Sequence, residues 1–193
     1  YVDLGLMSKN VEAGARLEFT EYPLPGFEAD FKGWGVPHLY LKGISDFGFD
    51  VTVGDFYDQF GSGFIFRTYE ERSLGIDNSL RGARLNVTAW KGVQFKVLGG
   101  LQRRYWDWKH GAWVGGADLE MNLEQYSSKM RDKGITWMVG ASGVLKQEGD
   151  EDIIVSGTNY RLDLPTTVGV CDVRSRFQKV SYSGLAENDW KCQ

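Results

Sequence analysis

Residues 82–97 read GARLNVTAWKGVQFKV. Ala83, Leu85, Val87 and Ala89 alternate with Gly82, Arg84, Asn86 and Thr88; beyond Lys91-Gly92, Val93, Phe95 and Val97 alternate with Gln94, Lys96 and Leu98. A period of two places one set on each face of a strand, and so short a glycine-bearing break predicts a hairpin. The same grammar recurs in Val11–Phe19, Phe47–Val53, Ala117–Leu123 and Ile135–Ala141. Polar connections at Lys9-Asn10, Ser45-Asp46, Asp132–Gly134 and Glu148–Asp152 punctuate it, so the chain reads as an antiparallel meander. Less regular strands are expected at Tyr1–Met7, His38–Ile44, Ile153–Arg161, Thr167–Val173 and Lys179–Ala186, giving about twelve strands in a single domain, 1–193. Longer connections fall at Glu21–Val36 and Tyr57–Leu80.

Composition narrows the classes. Among 193 residues, 42% are hydrophobic, enough for a core. Glycine, at 25 residues, and 14% aromatics, against 4 prolines, favour strands and tight turns. With 22 Lys+Arg against 26 Asp+Glu, net charge −4, nothing drives the chain toward nucleic acid. No apolar run reaches membrane-helix length, which does not bear on a transmembrane barrel, whose strands only alternate over about ten residues. Cys171 and Cys192 form neither a disulfide framework nor a closely spaced metal pair, and a count of two leaves their mutual pairing open.

Alternation alone does not say which face is wet. A soluble sandwich buries the apolar face; a membrane barrel turns it to lipid. Three features favour the barrel. The apolar rows are small and mixed (Ala13, Ala15, Ala83, Ala117), which suits lipid better than a packed core. Trp90, Tyr105, Trp106, Trp108, Trp113 and Tyr126 sit at segment ends, as interfacial aromatics do. Polar rows carry both acids and bases, as a water-filled or ion-paired lumen tolerates.

The stretch Val53–Arg84, VGDFYDQFGSGFIFRTYEERSLGIDNSLRGAR, resembles the signature of an uncharacterised family of Bacteroidota outer-membrane β-barrel proteins. PLPGFE from Pro23, FKGWGVPHLY from Phe31, LQRRYW from Leu101 and GADLEMNLEQY from Gly116 extend the likeness over nearly the whole chain. The resemblance implies a closed antiparallel barrel in the bacterial cell outer membrane, with this chain as all or part of a larger wall, since members look longer. Partners would be outer-membrane lipids and other outer-membrane proteins or lipoproteins in a complex; it implies no cofactor and no established activity.

The densest charge cluster, Arg67, Glu70, Glu71, Arg72, Asp77, Arg81 and Arg84, is expected to line or narrow the lumen, as a permeation field or as a structural ion-pair network. Asp118, Glu120 and Glu124 form a carboxylate row read as lumen lining rather than a cation site; Glu12, Arg16 and Glu18 join it. Ala83, Leu85, Val87, Ala117, Leu119, Met121 and Leu123 are expected to face lipid, with Trp90, Tyr105, Trp106, Trp108 and Trp113 as interface aromatics. Gln102–Trp108 reads as an interfacial girdle with arginines reaching to headgroups. Gly61-Ser62-Gly63 lacks the spacing of a nucleophile elbow, and His38 and His110 have no metal-ligating neighbours, so neither catalysis nor a metal is expected. The reading is an outer-membrane barrel that passes small polar solutes or serves as an integral subunit of an envelope complex. The alternative is a soluble all-β module holding a glycan or lipid.

Overall fold

A computed structural model describes residues 1–22, 32–71, 73–74, 76–88, 90–103, 111–148, 153–154, 161–162 and 166–179. Nine strands make one antiparallel sheet: β1 (Val2–Met7), β2 (Val11–Thr20), β3 (Gly33–Ser45), β4 (Phe49–Phe56), β7 (Leu80–Val87), β8 (Val93–Gln102), β9 (Trp113–Asn122), β10 (Ile135–Gln147) and β13 (Thr167–Lys179), neighbours in that order. Two small hairpins pair β5 (Glu70–Glu71) with β6 (Ile76–Asp77) and β11 (Ile153–Ile154) with β12 (Arg161–Leu162). The one α-helix among the described residues, α1 (Ser128–Asp132), is a single turn. The chain is therefore all-β and antiparallel. Among the described residues β1 and β13 are edges, and no pairing closes the sheet.

The meander follows from local chemistry. Gly48 and Gly92 adopt positive φ in the tight connections that return one strand beside the last, and Gly134 does so at the end of the longer connection that carries α1 between β9 and β10. Pro37 interrupts β3 where its register against β2 slips between Arg16 and Glu18, so its missing N–H costs no ladder bond. The expected strand Thr167–Val173 is part of the longer β13, which is paired to β10 through its whole length; of the expected strand Lys179–Ala186 only Lys179 is described, as the last residue of β13, and the rest lies outside the described residues.

The register carries the polarity across the sheet in rows. One row runs Leu6, Ala13, Leu41, Val53, Ala83, Gly99, Gly115, Leu145, Gly169, without a polar side chain. The adjacent row, on the other face, runs Met7, Glu12, Lys42, Thr52, Arg84, Leu98, Gly116, Val144, Val170, and the next includes Asp50, Asn86, Lys96, Asp118, Ser142 and Asp172. The apolar row is the exposed one. Val53 and Leu41 are 54% exposed, whereas Thr52 and Asp118 are 3% exposed. A soluble sheet has the opposite arrangement.

The segment 57–79 covers the polar face. It folds back on itself through Phe60 N–H donating to Phe66 O (3.1 Å), an isolated bridge of Gln59 with Arg67, and rings of Phe60 and Phe66 4.9 Å apart. Phe60 and Phe66 pack with Phe56, Leu80, Leu98 and Val114, the buried core among the described residues. This compact segment reaches β2 through Glu70 and lies against Arg174 of β13 through Gly61. Those strands stand seven steps apart in the sheet, roughly 34 Å if it were flat. The sheet therefore curls around the segment, with its polar face concave.

Candidate functional site

The concave face and the segment across it form one ionic site. Asp58 is its central acceptor: Arg84 Nη1 approaches Oδ2 at 3.1 Å and Lys96 Nζ approaches Oδ1 at 2.9 Å. Lys96 also donates to Gln59 O at 3.3 Å, and Arg84 Nη2 donates to Thr52 Oγ1 at 3.0 Å. Arginine and lysine from neighbouring strands thus hold the segment by one carboxylate. Toward β1, Arg16 donates to Asp3 (2.7 Å) and, through Nη1, to both Glu70 oxygens (3.0 and 2.9 Å). Toward β13, Arg174 pairs with Asp118 and with Glu120 (2.8 Å) and donates to Ser142. Gly61, at φ +51°, sits over that guanidinium; a methyl group there would lie 2.5 Å from Arg174 Cζ.

A second knot lies where β4, β7 and β8 meet the long connections. Asp55 accepts from Arg81 and from Leu39 N–H (2.8 Å), and Arg103 Nε stands 2.9 Å away without hydrogen-bond alignment. Arg103 donates to Pro37 O and to Ser79 Oγ (3.0 Å). Tyr57 donates to Asp77 at 3.0 Å and stacks on His38, with centroids 5.6 Å apart. Burial pulls the Arg103 guanidinium below its ordinary value, opposed by Asp55 and Asp77. Burial also raises the Tyr57 phenol well above its ordinary value, with the Asp77 and Glu70 carboxylates acting in the same direction.

Several expected residues meet here: Glu70, Asp77, Arg81, Arg84, Asp118 and Glu120, along with Arg16. Glu12 accepts from Tyr40 Oη at 2.7 Å on the same face. Others are placed differently. Arg67 is exposed, its guanidinium over the Tyr69 ring, and Glu71 is exposed with its carboxylate on Ser73. Glu124 is not on the carboxylate row: β9 ends at Asn122, and Leu123–Gln125 turn in a 3-10 helix that takes Leu123 off the apolar face too. Val87 is buried rather than exposed, because its register partners on the outer face are Phe49 and Phe95. Arg103 does not reach outward to headgroups; the Asp55 knot holds it inside. Ala83, Ala117 and Leu119 are exposed on the apolar face, and Leu85 and Met121 are half-buried there. Trp90 and Trp113 are exposed. Arg72, Tyr105, Trp106, Trp108 and Cys192 lie outside the described residues, while Cys171 is exposed on β13.

Sequence reading missed Asp55, Asp58, Lys96 and Arg174 as site residues. The alternation around Lys96 marked its face, but its partner lies 38 positions away across a connection, which no local period reports. Among the described residues no helix is long and apolar enough to cross a membrane, which says nothing about strands. Nor does any group of three or more His, Cys, Asp or Glu stand where it could hold a metal ion.

The architecture is that of an antiparallel all-β protein with its polar face enclosed. A family model of unknown function, DUF6029, matches residues 1–193, and the chain belongs to that family. Comparison with curated proteins found no match.

Proposed function

We propose that the chain builds the wall of a β-barrel in a bacterial outer membrane, that of a Bacteroidota species as the resemblance in Val53–Arg84 implies. The segment 57–79 narrows its lumen to a porin-like path for small polar solutes. The observation that carries this reading is the inverted polarity of the sheet: Leu39, Leu41, Val51 and Val53 are exposed, while Thr52, Asp118 and Ser142 are buried. In water an exposed apolar surface of this extent is unfavourable; against acyl chains it is the expected wall.

The aromatic spacing supports the same reading. Trp113 stands opposite Gln147, and Trp137 lies ten residues before Gln147 on β10. At about 3.4 Å per residue and a tilt of 35–45°, the two tryptophans would be separated by about 25 Å along the membrane normal, the height of a barrel's apolar band. Aliphatic residues and glycine fill the outer face between them: Gly115, Ala117, Leu119, Val139, Ala141 and Leu145.

The test is gel mobility with and without boiling after extraction from isolated outer membranes, followed by conductance in planar bilayers. A boiling-dependent shift with small, ohmic conductance is expected. A protein stable without detergent and free of any shift would defeat the reading in favour of a soluble binding module. A heat-modifiable protein without conductance would make it a plugged subunit of an envelope complex.

A further inference from the structure

The end of the sheet where the short turns lie carries a charge pattern that neither the enclosed face nor the apolar face uses. Lys91 lies in the turn between β7 and β8, and Lys129, Arg131 and Lys133 alternate through the connection from β9 to β10. The two connections touch: Gly92 O accepts from Asn122 N–H at 2.7 Å, and a methyl group added at Gly92 would lie 2.8 Å from Gln125 Cβ. Lys179 joins them from the last position of β13, opposite Ile135 at the start of β10. All five cations are exposed, and among the described residues none of them makes an ion pair. Lys9, in the turn between β1 and β2, differs in pairing with Asp46 at 3.0 Å. Of the two acids in the β9–β10 connection, Glu124 turns back to accept from Trp137 N–H at 3.3 Å, which leaves Asp132 beside the cations.

Resting on the barrel reading above, we infer that these five cations form a docking surface for anionic glycerophospholipid headgroups in the leaflet on the short-turn side. The net negative headgroup supplies the charge the cluster lacks, and Lys and Arg reach it while their stems stay on apolar surface. The aromatic flank selects this occupant. Trp90, Tyr126 and Trp137 are all exposed beside the cations, and an acidic protein partner would give them no role. Depth and direction agree. Trp137 borders the apolar band, and Lys133 precedes it by four residues. At about 3.4 Å per residue and a tilt of 35–45°, the Lys133 backbone lies within about 11 Å of that border along the membrane normal, in reach of the headgroup layer. Lys179 shares the outer face with Phe177, which stands opposite Trp137, so its stem starts on the lipid side of the wall.

The test is the temperature at which half of the full-length protein, in neutral detergent micelles, migrates as the unfolded form. Dioleoyl-phosphatidylglycerol should raise this midpoint saturably, by roughly 3–6 °C at ten times its half-saturating fraction, whereas dioleoyl-phosphatidylcholine at the same fraction should not. The combined variant Lys91→Gln, Lys129→Gln, Arg131→Gln, Lys133→Gln, Lys179→Gln should keep the parent's midpoint in phosphatidylcholine and lose the rise. Should that variant fail to fold, Lys129→Gln, Arg131→Gln, Lys133→Gln alone should lose more than half of it. Lys9→Gln, which removes a charge from the same end but outside the cluster, should keep it. An undiminished rise in the variants, or its loss in Lys9→Gln, would overturn the inference. An equal rise with inorganic phosphate would overturn it in favour of a simple anion site, and a rise with polyglutamate but not with the lipid in favour of an acidic protein partner. A heat-modifiable parent indifferent to phosphatidylglycerol would defeat this inference alone. A parent with no boiling-dependent shift would remove the barrel reading itself.

Discussion

Lys96 Nζ on β8 donates to Asp58 Oδ1 at 2.9 Å, joining the sheet to the segment laid across its concave face. Arg84 approaches the other oxygen of the same carboxylate, so one side chain holds two strands and the segment together.

Removing that carboxylate should loosen the segment before it disturbs the wall. Asp58→Asn leaves two largely buried cations short of their partner and is expected to cost about 3 kcal/mol. It should also raise single-channel conductance and expose the peptide bonds near Gly61 to added protease in vesicles. Unchanged conductance and unchanged proteolysis would show that Asp58 does not hold the segment.

The two faces should respond oppositely to charge. Leu85→Arg and Val53→Arg, on the apolar face, are expected to cost roughly 2–4 kcal/mol in a urea titration of vesicle-inserted protein. Asn86→Lys, on the polar face between Asp50 and Gln94, should fall within about 1 kcal/mol of the parent. The reverse ordering would mean that the faces are inverted.

Gly61 and Arg174 should be coupled. Gly61→Ala meets the guanidinium in a left-handed backbone conformation and is expected to destabilise by at least about 1 kcal/mol. In the Arg174→Ala background the steric part of that cost should disappear, leaving the conformational part. Simple additivity of the two substitutions in a double-mutant cycle would show that they do not touch.

Alkaline pH should act through Tyr57. Its folded value lies above the ordinary 10.0, so its contribution is complete below that value and is lost as pH rises toward the folded one. The stability difference between the parent and Tyr57→Phe is therefore expected to be constant up to about pH 9.5 and to narrow above about pH 10. A difference that stayed flat to pH 12 would place the phenol in water.

Legibility in the sequence followed the range of the interaction. The hairpin in 82–97 appears as β7 and β8 with its turn at Trp90-Lys91-Gly92, because alternation and a glycine turn are properties of adjacent residues. Strand ends were less legible. Asn122 ends β9 although the alternation runs on to Leu123, because the neighbouring β8 begins at Val93, opposite Met121, and leaves nothing on that side for Leu123 to pair with in the ladder.

By itself, then, the order of residues determined the strands, their antiparallel succession and the division of each into an apolar and a polar row. Period two and short turns impose these within a few residues. Only the tertiary structure decided that the polar row is the enclosed one, that Asp58 is shared by Arg84 and Lys96, and that Phe49 and Phe95 bury Val87. Each of these depends on which distant segment lies across a face, and an alternating strand carries the same pattern whichever of its faces is covered.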